Sequence, residues 1–136
     1  MAYQFATEEW VKALQEELNT RDAYREAAKK WEVDFYFIVE KGPEIEEDSY
    51  LYLDLWHGVA RQAYLQVDPG SLETAFELSA PLDTWKGVLN KKIDPIRGIM
   101  TRQLKLKGNM MKIMKAPKAA TELVESAARV DTTWPG

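Results

Sequence analysis

The chain has 136 residues, 46% apolar and 29% charged, with a net charge of −4. That composition excludes a disordered polymer and suits one globular domain over 1–136, with a core built without staples. It has no cysteine and one histidine, His57, which excludes a disulfide scaffold, cysteine-ligated zinc, a thiol nucleophile and a histidine-rich metal site.

Thr7 to Leu18 reads as a helix. Thr7 caps it, Glu8 and Glu9 suit the dipole of its first turn, and Trp10, Val11, Leu14 and Leu18 share one face. A second helix follows Thr20, with Ala23, Tyr24, Ala27, Ala28 and Trp31 at helical spacing and Lys29 and Lys30 near its end. The period then changes to two. Val33–Glu40 is apolar on both faces and reads as a central strand. Ser49–Trp56 alternates, with Leu51, Leu53 and Leu55 on one face and Tyr50, Tyr52, Asp54 and Trp56 on the other. His57-Gly58 turns into a strand over Val59–Val67, Asp68-Pro69-Gly70-Ser71 signals another turn, and Glu73–Ser79 forms a further strand. Short links predict antiparallel pairing throughout, as a meander.

After Ala80 the pattern is helical. Pro81 suits a first turn, and Leu82, Trp85, Val88 and Leu89 form a stripe. Asp94-Pro95 opens a short helix with Ile96, Ile99 and Met100, and Leu104–Lys107 alternates as a short edge strand. Asn109 caps a helix carrying Met110, Met111, Ile113 and Met114. Pro117 breaks the chain before a last amphipathic helix over Lys118–Val130, and Asp131–Gly136 reads as a tail. The expected fold class is α+β: a five-stranded, mostly antiparallel sheet with helices covering one face.

Charge is distributed unevenly. Glu40–Ala80 holds nine acids against two bases, whereas Lys86–Lys118 holds ten bases against one acid, Asp94. A basic segment in an acidic protein either solubilises an exposed face or attracts an anionic partner. Four of the five methionines lie between Met100 and Met114, interleaved with Lys105, Lys107, Lys112 and Lys115. A pliant thioether stripe edged with lysine fits an acyl chain with an anionic head, or a membrane surface. The basic segment lacks interleaved stacking rings, so nucleic acid is not an expected partner. There is no glycine-rich phosphate loop, nucleophile elbow, dinucleotide fingerprint or metal-ligand spacing, so no cofactor and no metal are expected. Glu44, Glu46, Glu47 and Asp48 read as a solvated loop. No apolar run approaches the ~20 residues of a membrane span. Met1-Ala2-Tyr3-Gln4-Phe5 lacks a signal-peptide shape, so a cytoplasmic location is expected.

The stretch from Ala75 to Met114 resembles the sterol carrier protein 2 (SCP2) family. The residues that carry the resemblance are Ala75-Phe76-Glu77-Leu78-Ser79, Trp85, Asn90-Lys91-Lys92-Ile93-Asp94-Pro95, and Arg102-Gln103-Leu104-Lys105-Leu106-Lys107-Gly108-Asn109. Lys91 stands where a glycine is common and Arg102-Gln103 where Gly-Lys is common, substitutions expected to narrow the cavity or move its mouth. Thr133-Trp134-Pro135-Gly136 carries no Ser-Lys-Leu peroxisomal signal. The resemblance implies a hydrophobic tunnel between the sheet and the C-terminal helices. It would hold a fatty acid, fatty acyl-CoA, sterol or phospholipid, with no bond made or broken and no catalytic residue.

On that reading the lining is Phe76 and Leu78 from the sheet, with Trp85, Leu89, Ile96, Ile99, Met100, Leu106, Met110, Ile113 and Met114. Lys105, Lys107, Lys112 and Lys115 would meet the head group or an anionic membrane surface. Two alternatives remain. One is a small α+β enzyme using Asp54, Tyr64 or His57 around the same pocket. The other is an interaction module whose apolar surface makes a homodimer.

Overall fold

Thr7 opens the first full helix, α1 (Glu8–Thr20), its hydroxyl oxygen accepting from the Trp10 amide at 3.2 Å. A computed structural model describes residues 2–66 and 74–135. Trp10, Val11, Leu14 and Leu18 are buried along one side of α1, as their spacing requires. Arg21 ends α1 and begins α2 (Asp22–Ala27), which stops earlier than the alanine spacing suggests. Ala28 and Trp31 follow it as buried loop residues.

The sheet is built from β2 (Glu32–Glu40), β3 (Ser49–Trp56), β4 (Val59–Gln66), β5 (Phe76–Pro81) and β6 (Lys105–Lys107). Their spatial order is β4-β3-β2-β5-β6, with β2 central. Three of the four pairings are antiparallel. The fourth corrects the meander: β5 lies parallel to β2, from Phe35 opposite Phe76 to Glu40 opposite Pro81. The position beside β4 is taken by α1. Gln15 and Asn19 donate to the Ala60 carbonyl at 3.0 and 3.1 Å, and Glu8 accepts from the Leu65 amide at 2.7 Å. An edge whose backbone groups are already bonded offers little to a further strand. The turn expected at Asp68-Pro69-Gly70-Ser71, and the strand ends at Val67 and Glu73, lie outside the described residues.

His57 and Gly58 both have positive φ, 52° and 82°, the hand that a two-residue hairpin needs. A Cβ on Gly58 would sit 2.6 Å from the Arg25 carbonyl oxygen, so only glycine fits under α2.

Leu51, Leu53 and Leu55 point to the helix-covered face and are fully buried there. Tyr36, Ile38 and Tyr52 form a second, smaller cluster on the opposite face, with Tyr50 and Tyr64 against it. Pro81 is the last strand residue and the N-cap of α3 (Leu82–Leu89), not part of its first turn. The α3 stripe of Leu82, Trp85, Val88 and Leu89 is buried, and the Trp85 indole donates to the Ile38 carbonyl at 3.0 Å. Asp94 caps α4 (Pro95–Met100) and Asn109 caps α5 (Met110–Lys115). Pro117 is the first residue of α6 (Pro117–Arg129), which buries Ala119, Ala120, Leu123, Val124, Ser126 and Ala127. The expected tail is partly ordered: β7 (Thr132–Thr133) pairs in parallel with β1 (Tyr3–Gln4). The Trp10 indole donates to Thr132, and Phe5 packs between Trp10 and Trp134.

Candidate functional site

Two hollows flank the six-residue helix α5. The larger, a groove of about 680 Å³, lies between the α2–β2 junction and the start of α6. Its floor is Ala27, Trp31, Val33, Ala116, Pro117 and Ala119. Small alanines on α2 and α6 leave the space, and Trp31 and Val33 supply apolar surface. Its rim carries Lys29, Lys30, Lys112, Lys115 and Lys118 with Glu26 and Glu32. Both acids are paired, Glu26 with Lys29 of the same rim at 2.7 Å and Glu32 with His57 outside it at 2.7 Å. Lys30, Lys112, Lys115 and Lys118 have no ion-pair partner among the described residues. The groove is therefore an apolar trough with an excess of positive charge at its lip.

The smaller hollow, about 370 Å³, is lined by Ile99, Arg102, Leu104, Lys105, Leu106, Gly108 and Met110. A row of rings runs from one hollow to the other. Trp31, in the floor of the groove, lies 6.0 Å from Phe35, and Phe35 stacks on Phe76 at 5.0 Å. Phe76 in turn abuts Gly108 of the smaller hollow. Ile113 is the residue of α5 that is buried.

The residues expected to line a tunnel separate into three groups. Ile99, Leu106 and Met110 line the smaller hollow. Phe76, Leu78, Trp85, Leu89 and Ile113 are buried in the core cluster, with Ile96 half-buried against it. Met100 and Met114 lie outside both hollows and are 66% and 41% exposed. A six-residue helix buries only one side, so methionines on its other side stay in water. Among the lysines, Lys105 pairs with Glu40 at 2.9 Å and Lys107 with Glu77 at 3.8 Å, while Lys112 and Lys115 face the groove. The groove floor itself was not singled out from sequence. Its residues come from two stretches far apart in the chain, 26–33 and 112–119, and the alanines of α2 and α6 were the available signal.

The residues of the enzyme alternative do not share this site. Asp54 and Tyr64 lie on the opposite face of the sheet, and His57 in the β3–β4 turn; none lines either hollow. Asp54 pairs with Arg61 at 3.1 Å, and Tyr64 packs on Tyr52 with centroids 4.9 Å apart. Burial pushes the Tyr52 phenol upward, and the charges of Asp34 and Asp54 push it further, so it stays protonated and donates to Asp34 at 3.2 Å. Among the described residues no cluster of three or more His, Asp or Glu is placed to hold a metal ion, and no helix is long and apolar enough to cross a membrane.

Comparison with known proteins specifies the family to which this α+β fold belongs. The model of the SCP-2 sterol transfer family matches residues 11–120. A crystal structure of sterol carrier protein 2 is 34% identical and superposes with a TM-score of 0.87, over 93% of this chain and 99% of that one. The solution structure of a conserved hypothetical protein from Thermus thermophilus, described as a candidate sterol carrier protein, is 32% identical. It superposes with a TM-score of 0.86, over 98% of this chain and 94% of that one. The apo form of sterol carrier protein 2 from Yarrowia lipolytica, 20% identical with a TM-score of 0.60 over 88% and 89% of the two chains, shares the fold. The comparison with curated proteins finds no match. The chain belongs to the SCP-2 sterol transfer family, whose domains bind and transfer lipids.

Proposed function

We propose that this protein binds a lipid with one long acyl-type tail and carries it without making or breaking a bond. The tail lies in the groove over Ala27, Trp31 and Val33. The anionic head stays at the lip among Lys30, Lys112, Lys115 and Lys118. The carrying observation is the groove of about 680 Å³, apolar in its floor and basic at its rim. That volume lies within the usual range for small-molecule sites.

The energetics are adequate. Sixteen buried methylenes contribute roughly 13 kcal/mol gross. Ordering and association costs of about 5 kcal/mol leave roughly 8 kcal/mol, an affinity in the micromolar range. Such binding holds cargo in transit and still releases it. Solvent extraction of the purified protein followed by mass spectrometry tests the proposal. An acyl lipid recovered in near-stoichiometric amount is expected; an extract free of lipid, from protein that also fails to take up added fatty acid, rejects it.

A further inference from the structure

We propose that the open edge of β6 receives an extended peptide strand from a partner protein, in which acidic side chains alternate with apolar ones. The main sheet has two edges, β4 and β6. Side chains of α1 already bond the β4 edge, whereas β6 is bonded on one side alone, to β5. Beyond that pairing, no hydrogen bond among the described residues engages the backbone of Lys105, Leu106 or Lys107. An edge with free amides and carbonyls is a template for one more strand. Short length and lysine side chains commonly guard such an edge. Here Glu40 on β2 and Glu77 on β5 draw the two lysines back over the sheet instead, Lys105 at 2.9 Å and Lys107 at 3.8 Å, so neither lies across the edge.

Register and charge fix the pattern of the partner. Leu106 pairs with the buried Leu78, so it points to the helix-covered side, where it borders the smaller hollow with Ile99, Leu104 and Met110. Lys105 and Lys107 point to the opposite side. An added strand therefore sets every second side chain beside an apolar hollow of about 370 Å³ and the alternate ones beside two lysines. Arg102, which also lines the hollow, makes no side-chain hydrogen bond or ion pair among the described residues and adds a free guanidinium. From Pro95 to Thr121 the chain has seven bases and no acid, so an acidic strand is attracted and a basic one repelled. Pairing β6 with β6 of a second copy would set lysines against lysines and is disfavoured for that reason. A lipid has no ladder of alternating donors and acceptors to offer the edge. The lipid groove shares no lining residue with this edge, so a peptide and a lipid occupy separate places.

Fluorescence anisotropy of the full chain with labelled peptide pools tests the edge. One pool alternates Glu with Val, Ile, Leu or Phe; a second has Lys in place of Glu. Saturable binding of the acidic pool, weakened by salt and absent for the lysine pool, is expected. Replacing Lys105 and Lys107 together by Gln should weaken it roughly tenfold, and Arg102→Gln several-fold. Lys12→Gln, on exposed α1 surface, should bind as the wild type does. Two further acidic pools carry methyl groups on alternate backbone nitrogens, one on the Glu nitrogens and the other on the apolar ones. The pool methylated on the nitrogens that face β6 should not bind, because a strand donates to its neighbour from alternate residues. Hydrogen exchange should slow at those amides of Lys105–Lys107 that point away from β5. An acidic pool that does not bind, equal binding of the acidic and lysine pools, or full binding by both methylated pools would overturn the proposal. Binding that leaves exchange along β6 unchanged would overturn it as well. Each of these results leaves lipid uptake in the groove as it was.

Discussion

Phe35 on β2 and Phe76 on β5 are register partners whose rings stack with centroids 5.0 Å apart and planes inclined by 20°. The stack joins the only parallel pairing among the described strands of the main sheet to the ring row between the two hollows. Gly108 closes on its far side. With φ 132° it adopts a conformation side chains rarely take, and a Cβ there would lie 2.6 Å from both Phe76 Cδ1 and the Ala75 carbonyl oxygen. Gly108→Ala is therefore expected to cost more than ~2 kcal/mol and to lower the thermal midpoint by several degrees. An unchanged midpoint would show that the β5–β6 edge relaxes freely.

Arg102 has φ 65°, the left-handed conformation that costs a non-glycine residue ~1 kcal/mol. The chain keeps the turn and accepts the strain. No side-chain hydrogen bond or ion pair among the described residues holds Arg102 in return. Arg102→Gly should stabilise the protein by roughly 0.5–1 kcal/mol, measured as a rise in urea midpoint.

Lys91 also has positive φ, 63°, but is compensated. Its ammonium donates to Glu125 at 2.8 Å, and that hydrogen bond is the main reason the Glu125 carboxyl sits below its ordinary value of 4.5. A folded pKa below the unfolded one gives stability that is present above the unfolded value and lost as pH falls through the folded one. Lys91→Gly removes both the strain and the bond. Near pH 7 the two effects oppose each other; once acid has protonated Glu125 only the relief of strain remains. The variant should gain on the wild type as pH falls. A difference in thermal midpoint that does not change between neutral and acid solution would contradict this.

Arg21 ties the α1–α2 junction to α6. One guanidinium nitrogen donates to Ser126 at 2.8 Å and to the Glu122 carbonyl at 3.3 Å, and the other to the Glu122 carboxylate at 2.9 Å. Ser126 is fully buried. Lysine cannot reproduce the planar fork, so Arg21→Lys should cost roughly 2 kcal/mol in urea unfolding despite keeping the charge. A loss below a few tenths would show that the charge alone suffices.

The elements whose formation is local were legible in the sequence. Strict alternation placed β3 at Ser49–Trp56, and Thr7, Asp94 and Asn109 each cap the helix that their position announces. What depends on distant partners was not. The pattern of Phe76 to Ser79 says strand but carries no mark of its neighbour, and α1 side chains hold the β4 edge that a meander would have used. The parallel β1–β7 pair is two residues long in each strand, too short for a period to show. The site divides in the same way. Methionine and lysine content pointed to the neighbourhood of α5, whereas the floor of the groove is assembled from Ala27, Trp31, Val33 and Ala119, small or aromatic residues that look like ordinary core. The positive φ of Lys91 and Arg102 is a backbone feature that residue identity does not announce.

Titration with a fluorescent fatty acid, comparing the wild type with Ala116→Trp, tests the carrier function most directly. Ala116 is half-buried in the groove floor, its φ of −134° is outside the left-handed region, and a tryptophan ring there would fill the trough; an unchanged thermal midpoint checks that the fold stands. The wild type should bind one probe per chain at micromolar concentration, and the variant at least tenfold more weakly. Wild-type protein that takes up no probe at tens of micromolar, or a variant that binds as the wild type does, would contradict the account.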